Sequence, residues 1–345
     1  LDPLLEEIKR SRMQGGGKEK ENQSECTHSP YRTKDTEDTK DTEDALFPPP
    51  PMVTLPTLPE IIRAPELQGL GPWHNSPPLT IAALRGKVVL IDFWTYSCIN
   101  CIRTLPSIQG YGEKFKGKPF LIIGVHSPEF IFEKSERNVA DAIRRHGLTY
   151  PVAQDNDFRT WRAFANRYWP AKYLIDAEGM IRYTHFGEGA YEETDLAIQS
   201  LLKEIGVSVS PTNNEQRANK QHAFGELTPE TYLGARSWQA LANAQGEPSD
   251  SVLLYEAPPA LDLHTYALVG KWQLQDDERQ TLRSATGEIR LHFLGAEVNL
   301  VLGIAEKPVT VDIEIDDEPT QRLTIDHHDL YRLFSGDYGE HEVVL

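Results

Sequence analysis

Apolar runs of strand length alternate with helical patterns through the middle of this chain. Val88 to Phe93 is apolar apart from Asp92, and it leads through Trp94-Thr95-Tyr96-Ser97 into a helical pattern that opens at Cys98. A second apolar run spans Phe120 to Val125. Beyond it the pattern predicts a helix from about Pro128 to Gly147, a short strand near Tyr150 to Gln154 and a helix from about Phe158 to Arg167. Strands alternating with helices predict an α/β domain. Past residue 226 the pattern changes. Glu288 to Leu294, Glu297 to Leu302 and Val309 to Ile315 alternate or run apolar in strand lengths, with Gly287, Gly295, Gly303 and Pro308 between them. Short strands at that spacing predict an all-β sandwich of jelly-roll type, with Asp316 to Pro319 as a hairpin tip. The apolar Val343-Val344-Leu345 predicts a last strand that is lost or ends early.

Neither pattern reaches the first 64 residues. Gly15 to Gly17, the acidic stretch Lys34 to Asp44 and the prolines at 48 to 51 offer no apolar face, and predict a disordered tether. The expected organisation is therefore a tether at 1–64, an α/β domain at 65–205, a polar linker at 206–225 and a β-sandwich at 226–345. A length of 345 residues suits two cores better than one. Charge separates the halves too. Residues 65–205 carry 16 basic and 16 acidic side chains, whereas 226–345 carry 8 and 22. With no basic surface, nucleic acid is excluded as a partner, and the acidic half would be repelled by anionic lipid. No run of eighteen apolar residues occurs and no signal peptide opens the chain, which begins at Leu1. The expectation is a fragment or processed form whose upstream part holds a membrane anchor.

The chemistry concentrates at Cys98-Ile99-Asn100-Cys101. A thiol on the first turn of a helix has its thiolate stabilised by free N–H groups and the positive end of the helix dipole, so Cys98 is the expected nucleophile. Cys101, one turn further in, is placed to attack a mixed disulfide on Cys98. The same spacing supplies half of many zinc sites, but the only other cysteine, Cys26, lies in the tether and is expected to be a free thiol. The cofactor is thus the Cys98–Cys101 pair itself, and no metal is expected. Asp92, in an apolar strand, would need a raised pKa or a partner, and could take the proton of Cys101. Trp94, Ile99 and Asn100 flank the thiols as candidate substrate contacts. The Ile99-Asn100 pair should also tune the reduction potential. Pro106 should kink the helix.

Asp92-Phe93-Trp94, Cys98, Cys101 and Pro106 match the spacing of the thioredoxin active site, so the chain resembles that family. Tyr168 to Asp176 resembles its cis-proline strand, which implies a cis bond at Pro170 and makes Trp169 and Pro170 substrate-contact residues. The long stretch between Cys101 and Pro170 resembles TlpA-like extracytoplasmic thioredoxins with an inserted helix and strand. Phe93 to Cys101, Gly124 to Phe130, Asn166 to Asp176 and His185 to Glu193 look more closely like the soluble part of DipZ-type proteins. That resemblance implies a thiol-disulfide oxidoreductase, outside the cytoplasm or periplasmic, acting as a reductase of protein disulfides. It also implies a membrane electron donor and a carbohydrate-binding-module-like second domain. In that domain His264, Tyr266, Trp272 and Tyr331 are candidates for glycan contact, although aromatic rings in a sandwich more often belong to the core. Three alternatives remain, the first a binding module in which the β-sandwich recognises glycans. A copper metallochaperone would use Cys98, Cys101 and His126, since thiolates suit Cu(I). A peroxidase would use Thr95, three residues before Cys98, although the proline expected before that threonine is replaced by Ile91.

Overall fold

The computed structural model describes residues 55–209, 226–244, 248–276, 279–304 and 307–345. Of the tether expected at 1–64 and the linker expected at 206–225, residues up to 54, with Cys26, and 210–225 lie outside the described residues; residues 55–64 are no tether but part of the first domain, where Ile62 and Arg63 form a strand and Leu58, Ile61 and Ala64 pack into its cores. The first domain is a seven-stranded mixed sheet in the order β1-β7-β6-β3-β4-β5-β2. Its strands are β1 (Ile62–Arg63), β2 (Trp73–His74), β3 (Val88–Trp94), β4 (Phe120–His126), β5 (Val152–Gln154), β6 (Ala171–Ile175) and β7 (Met180–Phe186). β3 pairs in parallel with β4 and antiparallel with β6, so the strand that leads to the cysteines is central.

That position explains the apolar run. Alternate residues of a strand point to opposite faces, and both faces of this sheet are covered. Val88, Leu90 and Trp94 enter one core with Leu105 and Ile108 of α1 (Ile99–Lys114). Val89, Ile91 and Phe93 enter the other, with Phe164, Tyr173 and Ile181. By this alternation Asp92 falls on the face that carries α1. Pro106 lies inside α1, where it has no N–H to donate to the Ile102 carbonyl.

The insertion between β4 and β6 is more broken than its pattern predicts. A 3-10 turn at Ile131–Lys134 precedes α2 (Glu136–Arg145), because Ser135 takes an extended conformation and caps α2 by accepting from the Asn138 N–H at 3.4 Å. The expected helix at 158–167 shrinks to α3 (Arg159–Ala163). The Asp155 carboxylate starts it by accepting from the N–H groups of Arg159, Thr160 and Trp161 at 2.8, 3.1 and 2.7 Å, and Ala165 ends it in a left-handed conformation. α4 (Tyr191–Glu204) closes the domain.

The second domain is all antiparallel, in the order β10-β9-β11-β14-β12-β13 with β8 against β9. The strands are β8 (Leu253–Tyr255), β9 (Thr265–Asp276), β10 (Arg279–Leu282), β11 (Glu288–Leu302), β12 (Val309–Ile315), β13 (Glu318–Ile325) and β14 (Asp329–Val344). The two strands expected at 288–302 are one. β11 continues through a register shift between Gly295 and Glu297, a bulge that bends the strand without ending it. Val343 and Val344 finish a 16-residue β14 that pairs with β11. Asp316 and Asp317, at φ 53° and 66°, form the predicted hairpin tip. Tyr266 and Trp272 are core rings beside Tyr255 and Leu268, which removes them from the candidates for glycan stacking.

The two domains touch beside the cysteine helix. Arg103 of α1 pairs with Glu297 of β11 at 2.8 Å, Tyr232 donates to Glu129 at 2.6 Å, and the rings of Phe132 and His328 lie 4.9 Å apart.

Candidate active site

β3 ends at Trp94, and the turn Thr95-Tyr96-Ser97 delivers Cys98 to the N-cap of α1. Cys98 is extended (φ −82°, ψ 116°), and its Sγ accepts from the Cys101 N–H at 3.3 Å. One of the free N–H groups at the helix start therefore faces the sulfur, as the sequence predicted. Cys98 is half-buried, whereas Cys101 is only 1% exposed. Both are free thiols. Burial, then the Cys98 sulfur, pushes the Cys101 thiol well above the usual range, with a smaller push from Asp92. An accessible sulfur thus sits over a buried one that needs a base.

Asp92, expected to take the Cys101 proton, lies close enough to that thiol to push it up. It is 1% exposed and its Oδ1 has no hydrogen-bond partner. Burial raises its carboxyl to about 7, against a lowering influence from Lys172, its antiparallel partner on β6.

The thiol turn is anchored by Glu133, a residue that nothing in the sequence pattern singled out. Its buried carboxylate accepts from the Ser97 hydroxyl at 2.6 Å and the Ser97 N–H at 3.3 Å. On its other oxygen it accepts from the N–H groups of Glu129 and Phe130, at 2.6 and 2.8 Å. Burial raises this carboxyl, and the donors oppose the rise. Glu133 therefore ties the turn before Cys98 to the loop after β4.

The Trp169–Pro170 bond is cis, as the resemblance implied. Trp169 donates from its indole N–H to the Ser127 carbonyl at 3.0 Å, lies 4.3 Å from the Trp161 ring, and borders the same core as Cys98. Pro170 is buried, and its carbonyl accepts from Gly187 at 2.8 Å. Ile99 is half-buried and Asn100 exposed, so both can meet a substrate. Trp94 cannot. It is wholly buried, edge-on to His126 at 5.2 Å, and its expected role as a substrate contact is corrected to a core role, because strand alternation turns it under α1.

His126 does not join the thiols. It is buried, stacked on Tyr96 at 5.7 Å, and its Nε2 meets the Thr95 hydroxyl at 3.3 Å. Burial lowers it to about 3, so the imidazole is neutral. Among the described residues no group of three His, Cys, Asp or Glu side chains is placed to hold a metal ion. Thr95, with its hydroxyl on His126, is wholly buried.

Comparison with known proteins follows the domain division. Residues 64–184 match the AhpC/TSA family, and residues 228–345 match the domain described as thioredoxin like C-terminal domain. Protein DipZ of Mycobacterium tuberculosis is 39% identical over 244 residues, covering 70% of this chain. The chain spans only 35% of the length of that relative. The thiol-disulfide oxidoreductase YkuV of Bacillus subtilis is 26% identical over 140 residues, 41% of this chain and 94% of that protein. A solved thioredoxin-like protein in the oxidised form is 28% identical over 41% of this chain and 96% of its own, with a TM-score of 0.39. The thioredoxin-like fold is carried by the strand order above and not by that partial likeness.

Proposed function

We propose that this DipZ-like chain of thioredoxin fold is a thiol-disulfide oxidoreductase that reduces protein disulfides through Cys98 and Cys101. The observation that carries the reading is the half-buried Cys98 at a helix N-cap, beside a buried Cys101 and a buried Asp92 whose Oδ1 has no hydrogen-bond partner. The Cys98 thiolate attacks a substrate disulfide, so that one substrate sulfur leaves and the other stays bonded to Cys98. Asp92 takes the proton of Cys101, and the Cys101 thiolate attacks the Cys98 sulfur. The Cys98–Cys101 disulfide forms, the second substrate sulfur departs, and two electrons have passed to the substrate. A dithiol donor must then reduce the pair, and an upstream membrane electron donor outside the cytoplasm suits that need. No helix among the described residues is long and apolar enough to cross a membrane. Ile99, Asn100, Trp169 and Pro170 would face the extended substrate chain.

The copper reading is less well supported, because His126 is engaged with Thr95 and Tyr96. The peroxidase reading is also weaker, because the Thr95 hydroxyl meets His126. Insulin reduction with dithiothreitol, run with and without chelator, tests the proposal. Turnover that ignores chelator and disappears in Cys98→Ser is expected, and turnover surviving that substitution would refute it.

A further inference from the structure

Asp92 has two cross-strand neighbours. On β4 it faces Gly124, and a Cβ there would come within 3.1 Å of both the Trp94 indole nitrogen and the Tyr150 ring. That side of the strand has no room for a counter-charge. On β6 it faces Lys172, and directly opposed residues of paired strands share a face. Lys172 is wholly buried, inside the five-residue buried strand Ala171–Ile175. A lysine seldom occupies such a place unless it is paired. Its Nζ donates to the Gly189 carbonyl at 2.7 Å and lies 5.1 Å from the centre of the Tyr191 ring. A carbonyl and a ring face hold an ammonium well, but neither supplies a full negative charge.

We propose that Lys172 is a positioning residue of the exchange reaction: its buried ammonium, across the sheet from Asp92, keeps that carboxylate ionised and ready to take the Cys101 proton. The inference rests on the proposed disulfide exchange and deepens it. The charge balance supports it. The groups that interact with Asp92 are the Cys101 thiol of α1, the buried phenol of Tyr150 and Lys172, of which only Lys172 can be positive. Lys172 itself feels Asp92 first, then Glu193 and Glu188, and burial nonetheless lowers it to about 8. Burial opposes the charge on each member of the pair, and each charge favours the other. The signal was in the sequence, since Lys172 interrupts an apolar strand as Asp92 does, but only the register shows that the two interruptions meet.

The test is the reaction of the reduced chain with 5,5′-dithiobis(2-nitrobenzoate), followed by stopped flow across pH. The first release of chromophore reports attack by Cys98 and the second reports resolution by Cys101. In Lys172→Met the first phase should keep its pH profile, while the midpoint of the second rises by about one pH unit or more, as expected for loss of an opposite charge beside a carboxylate. An unchanged midpoint, or equal slowing of both phases, overturns the proposal. If Lys172→Met does not fold, or if neither phase is seen because exchange is not the function, lysine 13Cε NMR titration decides. The Lys172 signal should titrate below the other lysines, and its midpoint should fall further in Asp92→Asn. A midpoint indifferent to Asp92 would overturn the pairing.

Discussion

At the scale of single residues, the two cysteines differ most in access. Cys98 is half-buried at the helix cap, while Cys101 is buried and its thiol is pushed up by burial and by its neighbour. Iodoacetamide near neutral pH should therefore label Cys98 many times faster than Cys101, as peptide mass spectrometry would show, and equal labelling would contradict the roles assigned. Asp92 makes a second prediction. Its carboxyl is raised from 3.8 to about 7, so the folded chain binds a proton that the unfolded chain releases across that interval. The contribution of Asp92 to stability is therefore least unfavourable below pH 3.8 and worsens as pH rises toward 7. Asp92→Asn should flatten that decline between about pH 4 and 7, while any gain in stability above that range is offset by the buried Lys172 ammonium left without its opposite charge. The same variant should slow turnover at neutral pH. Denaturant unfolding at several pH values checks the first effect, and a variant with wild-type pH dependence of stability would show Asp92 to be ordinary.

At the scale of elements, the turn before Cys98 depends on Glu133. Glu133→Ala would leave the Ser97 N–H and hydroxyl and the N–H groups of Glu129 and Phe130 without that acceptor. An unsatisfied buried donor costs about 1–3 kcal/mol, so a loss of about 2–4 kcal/mol is expected, with slower attack by Cys98. Glu133→Gln should recover part of both, and an Ala variant as stable as wild type would remove Glu133 from the account. The elements show what the sequence could and could not reveal. β3 and α1 were legible because an apolar run and a Cys-x-x-Cys each carry a local physical signature, whereas the cis-proline strand was legible through its resemblance to the thioredoxin family. The helix breaks at Ser135 and after Ala163 were not, because they follow from side chains such as Asp155 bonding backbone a few residues away. Glu133 was invisible for a related reason. A glutamate in a polar stretch reads as solvated until the fold buries it. Trp94 was misread because its neighbourhood suggested substrate while the alternation of β3 points it into the core.

At the scale of the molecule, the second domain rests against the side of the first that carries α1. Its contacts include the polar pairs Arg103 with Glu297, Arg145 with Asp329 and Tyr232 with Glu129, partly exposed and of the kind worth about 0–1 kcal/mol each, and the ring contact of Phe132 with His328. The first domain has two cores of its own, and a comparable span makes up 94% of YkuV. A chain of residues 55–209 should thus fold cooperatively and keep most of its activity toward a small disulfide, while losing some preference among protein substrates. A folded but inactive first domain would mean that the two halves form one catalytic unit. Central to the proposed exchange is that Cys98 holds the substrate and Cys101 releases it. The direct measurement is to replace Cys101 by Ser in the full chain, incubate it with a disulfide-containing protein such as insulin, and locate the resulting bond by mass spectrometry without reductant. These roles predict an accumulating mixed disulfide on Cys98, and a variant that turns over freely with no such adduct would contradict them.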